Sequence, residues 1–141
     1  VIAGNAAAVE RAMLACKAAG AKRALPLNVS VPSHCELMRP AAEELAVDLE
    51  AIRFAPSTIP VVQNSVAAVV SDPVQLKANL ISQLFMPVQW VESVKAIGAA
   101  DVTRLVECGP GKVLSGLIKR IDPEISCMGS ESPEDFATAL N

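Results

Sequence analysis

From Val102 onward the chain switches repeatedly between strand and helix patterns, and that alternation restricts the fold more than any single residue does. Val102 to Cys108 predicts a β-strand, Gly109-Pro110-Gly111-Lys112 a tight turn, and Val113 to about Ile121 a helix. Ile125 to Met128 predicts a last short strand, and Ser132-Pro133-Glu134-Asp135 starts a final helix with a capping-box-like pattern. Such alternation argues for a largely parallel sheet with helices on its faces, because parallel neighbours need a crossover between them. The side chains agree: 52% of the 141 residues are hydrophobic but only 3% aromatic, an aliphatic, alanine-heavy content that suits helices laid on a buried sheet. The expected fold class is α/β.

The first half can be read the same way. Val1-Ile2-Ala3-Gly4 resembles the second half of a strand, so the chain is expected to begin inside an element. Asn5 caps a helix from Ala6 to about Ala19 that Gly20 ends, with Val9, Met13 and Cys16 on its apolar face. Lys22 and Arg23 occupy the following turn, and a strand is expected over Ala24 to Val31. A second helix is predicted from about Cys35 to Leu49, with Pro40 either in its first turn or ending a short preceding turn. Leu37, Ala41, Leu45 and Leu49 would face the core. Ile52 to Val70 is β-like, and two short strands or one strand and a loop both fit. Asp72-Pro73 is a cap and first-turn proline for a helix over Val74 to about Phe85, with Leu76, Leu80 and Leu84 as its buried stripe and Gln83 beside it. Another helix opens at Pro87-Val88-Gln89-Trp90 and ends at Gly98, with Trp90 as a core anchor.

Few side chains here can do chemistry. His34 is the only histidine, placed by Pro32 just past the expected strand end, where sites of open α/β sheets are built. By residue type and spacing alone the plainer reading, a loop histidine with no role, is the favoured one. Cys35 beside it is no nucleophile for it, since adjacent side chains point apart. The Gly109-Pro110-Gly111-Lys112 turn lacks the first glycine and the Ser/Thr of a phosphate-binding loop: Val106 and Val113 stand there. An anion at that helix N terminus stays open as a reading. No Gly-x-Ser-x-Gly elbow is present, so a base is available without an evident nucleophile. Cys16, Cys35, Cys108 and Cys127 are too scattered for a zinc site and are expected as reduced thiols. A net charge of -3 gives no footprint for nucleic acid and no polybasic membrane patch, and no run is apolar for long enough to span a bilayer.

Three separated stretches carry a resemblance. Ala19 through Met38, with His34 near its end, is one. Gln83-Leu84 with Pro87-Val88-Gln89-Trp90 is the second, and Glu107-Cys108-Gly109-Pro110-Gly111-Lys112 with Leu114-Ser115-Gly116-Leu117 is the third. In order and spacing they resemble the C-terminal portion of bacterial malonyl-CoA:acyl carrier protein transacylase, and the likeness covers essentially the whole chain. It implies part of an α/β-hydrolase-like acyltransferase large subdomain together with the second half of an inserted ferredoxin-like small subdomain. Residues 1–30 would be that strand-helix-strand half, and residues 31–141 the C-terminal part of the large subdomain.

The same resemblance implies the roles. His34 matches the catalytic histidine, base for a serine and acid for the leaving thiol, and Gln83 the residue whose backbone carbonyl orients the imidazole. Lys22 and Arg23 match a basic pair that meets the acidic carrier protein. Malonyl-CoA is implied as substrate, with no cofactor and no metal, acyl carrier protein as partner, and the cytoplasm as location. The family's serine elbow, its carboxylate-binding arginine and its oxyanion-hole glutamine match nothing in these residues, so this chain is expected to be inactive without the enzyme's N-terminal part. Two alternatives are an acyltransferase domain fragment of a polyketide or multifunctional fatty acid synthase, and a non-catalytic module that binds acyl carrier protein.

Overall fold

A computed structural model describes residues 1–140 and combines helices with short strands, as an α/β chain should. The chain forms two units, residues 1–60 with 70–88, and residues 61–69 with those from Gln89 onward.

In the first unit, helix α1 spans Ala6–Ala18. Asn5 caps it, its Oδ1 accepting from the Ala7 N–H at 3.1 Å. Gly20, at φ +94°, ends it: the Gly20 N–H donates to Lys17 O and the Ala21 N–H to Cys16 O, a paired closure that requires left-handed backbone. The expected apolar face is only partly covered, with Val9 and Met13 half-buried and Cys16 exposed. The strand expected over Ala24 to Val31 does not form among the described residues. A strand exists only as one side of a ladder, and no described segment pairs with these residues. Instead the Val29 and Ser33 N–H groups turn back to the carbonyls of Leu27 and Val31. Leu25, Leu27, Val29 and Val31 are all exposed.

Pro40 takes the first of the two placements the sequence allowed, in a helix that begins later than expected. A 3-10 turn, Glu36–Met38, precedes helix α2, Arg39–Glu50, and the proline sits in the first turn of α2. That break moves the buried face: Ala42 and Leu49 are buried, Ala41 and Leu45 half-buried, and Leu37, lying in the 3-10 turn, is exposed. Helix α3, Pro73–Ser82, packs on α2. Asp72 Oδ2 accepts from the Gln75 N–H at 3.0 Å. Lys77 reaches across to the carbonyls of Leu49 (2.6 Å) and Ile52 (3.0 Å), tying α3 to the end of α2 and the turn after it. Helix α3 stops three residues before the expected end, and tighter turns carry the chain through Met86. The leucine stripe is half-buried, and the most buried residue of α3 is Asn79, held by Gln75 Nε2 at 2.9 Å.

In the second unit the open choice over Ile52 to Val70 resolves as two short strands. β1 (Val62–Gln63) and β2 (Ala68–Val69) are antiparallel, with Val62 opposite Val69. Helix α4, Trp90–Gly98, begins three residues later than expected, and the Gln89 N–H before it bonds to Asn64 O at 2.7 Å. Strand β3 (Arg104–Glu107), helix α5 (Val113–Ile121), strand β4 (Ser126–Gly129) and helix α6 (Pro133–Leu140) follow in the predicted alternation. β3 and β4 are parallel, Leu105 beside Cys127 and Glu107 beside Gly129. Val94 of α4, Ile118 of α5 and Ile125 just before β4 form the core of this unit, with Trp90, Leu105, Ile121 and Cys127 packed around it. Ser132 Oγ accepts from the Asp135 N–H at 3.1 Å, the predicted cap of α6.

Candidate functional site

His34 sits where α3 runs out of hydrogen bonds. Carbonyls at and beyond a helix end have no partner inside it, and two just past α3 receive donors from His34. Its backbone N–H donates to Leu84 O at 2.9 Å, and its ring Nδ1 lies 2.7 Å from Gln83 O. A carbonyl only accepts, so Nδ1 carries the proton and the neutral ring presents its lone pair at Nε2. Residue 34 pays for this pose with a φ of +63°, a left-handed conformation costing about 1–2 kcal/mol for a side-chain-bearing residue. The two hydrogen bonds to carbonyls otherwise left open offset that strain. Cys35 is not idle in the loop: its thiol donates to Pro32 O at 3.1 Å, closing the turn that carries His34. The imidazole itself is exposed. It has the attributes of a general base, namely a fixed tautomer, a free basic nitrogen and access.

The structure thus brings His34 and Gln83 together, through the glutamine's main chain. Lys22 and Arg23 take no part in this arrangement. They follow the glycine closure of α1, exposed, and neither forms an ion pair among the described residues. Sequence reasoning missed the Leu84 carbonyl and the Cys35 thiol, and no residue-type signal could have found the former, because every residue has a carbonyl.

The glycine-rich turn before α5 resolves differently from a ligand site. Gly109 (φ +129°) and Gly111 (φ +84°) supply backbone that other residues avoid, with open space where a Cβ would be. The N terminus of α5 is already occupied by the chain's own carboxylate. Glu107, buried at the end of β3, accepts from the Leu114 N–H (3.0 Å), the Ser115 N–H (2.8 Å) and the Ser115 hydroxyl (2.5 Å). These donors, the Ser115 hydroxyl foremost, hold the Glu107 carboxyl below the usual carboxylate range. Its contribution to stability is therefore complete above the unfolded value, about 4.3, and is lost as pH falls through the lower folded value. Glu107→Gln places an amide donor against these N–H donors. Thermal melts at about pH 7 should show the variant several degrees less stable, with the gap narrowing as the medium is acidified through the range where carboxylates protonate. A gap independent of pH would refute this account.

Among the described residues no group of three His, Cys, Asp or Glu is placed to hold a metal, all four cysteines are free, and no helix is long and apolar enough to cross a membrane.

Fold and site together define an α/β chain that holds its one histidine ring in a fixed orientation. Its relatives are known enzymes. The chain is 53% identical over 140 residues to the malonyl CoA-acyl carrier protein transacylase of Salmonella typhimurium, and 52% identical to that of Escherichia coli, covering 99% of this chain and 45% of each relative. The Bacillus subtilis transacylase is 43% identical over the same share of the chain. A crystal structure of malonyl-CoA:acyl carrier protein transacylase from Xanthomonas oryzae pv. oryzae matches 97% of the chain with a TM-score of 0.93 at 45% identity. A type II PKS acyl-carrier protein in complex with its malonyl-transacylase matches with 0.94 at 50% identity, again over 97% of this chain and 44% of that one. No family model matches. The chain is homologous to the C-terminal part of the malonyl CoA-acyl carrier protein transacylases, and spans a little under half their length.

Proposed function

We propose that this chain is the histidine-bearing part of a malonyl-CoA:acyl carrier protein transacylase of fatty acid synthesis, acting in the cytoplasm. The observation that carries the reading is the 2.7 Å contact of His34 Nδ1 with Gln83 O, which leaves Nε2 free to move a proton. In this mechanism Nε2 takes the proton of a serine hydroxyl as the serine oxygen attacks the malonyl thioester, and returns it to the departing coenzyme A sulfur. The reverse proton path serves the second half, in which the carrier protein's phosphopantetheine thiol attacks the malonyl-serine. The serine, the oxyanion donors and the group that pairs with the malonyl carboxylate come from outside these 141 residues, since no serine here stands on a nucleophile elbow. No cofactor enters the chemistry; coenzyme A is carried in as part of the substrate.

On this reading residues 1–30 complete a ferredoxin-like small subdomain, and residues 31–141 the C-terminal part of an α/β-hydrolase-like large one. Lys22 and Arg23, exposed and unpaired by any described carboxylate, supply positive charge for the acidic carrier protein. The 50% identical neighbour handles a type II PKS acyl-carrier protein, so polyketide synthesis is the second reading, and a carrier of either pathway is a fair probe.

One experiment tests the assignment. The chain alone, given malonyl-CoA and carrier protein, should form no malonyl-carrier adduct, whereas the chain joined to the N-terminal portion of a relative should. Turnover by the chain alone, or none by the joined protein, refutes it. Titration of the joined protein with carrier protein should show salt-sensitive binding that Lys22→Glu/Arg23→Glu abolishes; unaltered binding would remove those two residues from the carrier surface.

A further inference from the structure

The two hydrogen bonds that hold His34 end on a short segment beyond the end of α3, and one side chain locks that segment to the histidine loop. Arg39, first residue of α2, forks onto Glu36 with Nε to Oε2 at 2.7 Å and Nη2 to Oε1 at 2.8 Å. Its guanidinium also lies over the Phe85 ring, 4.0 Å from the centroid. Glu36 is two residues past His34, and Phe85 is the residue after Leu84. The contacts therefore close a ring: His34 to Glu36 along the chain, Glu36 to Arg39, Arg39 to Phe85, Phe85 back to Leu84, and the Leu84 carbonyl to the His34 N–H.

We propose that Arg39 is a positioning residue for His34: by gripping Glu36 and stacking on Phe85 it fixes the Gln83 and Leu84 carbonyls against the histidine and so keeps the imidazole in its Nδ1–H tautomer. The inference rests on the reading of His34 as the base, since that tautomer is what leaves Nε2 basic. Exposure separates this role from a stabilising one. The Arg39 and Glu36 side chains are 48% and 71% exposed, so the ion pair adds little to global stability. What it can do is restrict motion. Without it the histidine loop loses one of its ties to the segment after α3, and the ring is freer to turn and exchange its proton between nitrogens. Lysine cannot substitute fully, because a point charge neither forks onto a carboxylate nor stacks as a plane.

A single histidine makes the test direct. With ¹⁵N-histidine labelling of the chain, long-range proton-nitrogen correlation reads the tautomer of His34 in its neutral form without overlap. The parent should show the proton on Nδ1. Arg39→Ala and Phe85→Leu should each raise the Nε2–H population about two- to fivefold, the shift an exposed cation–π contact can support. Phe85→Tyr, which keeps the ring face, should retain the parent pattern, and the melting temperatures should stay within a few degrees. An unchanged tautomer in both Arg39→Ala and Phe85→Leu overturns the proposal. So does a tautomer change that merely tracks loss of stability across the set. The base reading fails separately: if His34→Ala leaves transfer by the joined protein intact while Arg39→Ala still releases the tautomer, the brace stands and the catalytic role falls.

Discussion

His34→Ala, made in the chain joined to an N-terminal transacylase portion, should slow malonyl transfer by about 10²–10⁴, the range lost when a positioned general base is removed. The geometry says where the loss falls. Nε2 acts on a proton that moves only as the thioester is attacked, so turnover should drop while affinity for malonyl-CoA changes little. Alanine also removes the ring but not the backbone bond to Leu84 O, so the loop keeps one of its two ties and the defect should be chemical rather than a collapse. Gln83→Ala is the informative companion. It deletes the amide side chain and keeps the carbonyl that His34 uses, so it should lose far less than His34→Ala. A near-normal rate for His34→Ala would return the residue to an ordinary loop histidine.

Ile118→Ala should be the most damaging change in the second unit. Ile118 is 3% exposed and sits with Val94 and Ile125 at the centre of a small core. Truncating a buried isoleucine costs about 2–5 kcal/mol, transfer and cavity together. Few neighbours are free to fill the space: Trp90, Leu105 and Ile121 are already packed around the cluster from α4, β3 and α5. Urea unfolding followed by fluorescence of Trp90, the sole tryptophan, should show a lower midpoint at an unchanged slope. A loss under about 1 kcal/mol would mean that this cluster is not what holds the unit together.

What was legible in the sequence was local. Helix α5 begins and ends where the residues place it, at Val113 and Ile121, because positive-φ glycines precede it and an apolar face runs through it. Asp72-Pro73 and Ser132-Pro133 start helices for the same kind of reason, a side chain that meets an orphan N–H and a proline that needs none. What depends on a partner was misread. Leu25, Leu27, Val29 and Val31 alternate as a strand should, but alternation names a face and cannot supply a neighbour. Leu37 has the spacing of a core-facing helical residue but lies in the 3-10 turn two residues before α2, because periodicity names a face and not the residue at which a helix starts.

The site divides along the same line. The glycine turn could be found by residue type and spacing, and His34 as the sole histidine, although its role is implied only by the family resemblance. The Gln83 carbonyl came only through family resemblance, and the Leu84 carbonyl, the left-handed backbone at His34 and the Glu36–Arg39–Phe85 brace came from neither. Main-chain acceptors carry no letter. Glu107 is a middle case: a lone acid closing an apolar strand is an anomaly that pattern reading could have flagged, although its donors, Leu114 and Ser115, lie a turn and part of a helix away.

On the proposed reading the substrate carries the phosphates of coenzyme A, and a glycine-rich helix start is the kind of place where phosphates come to rest. In this chain that berth is filled from within. With the Glu107 carboxylate seated on the α5 N terminus, an incoming phosphate meets like charge and spent donors, so this helix start gives an anion no resting place.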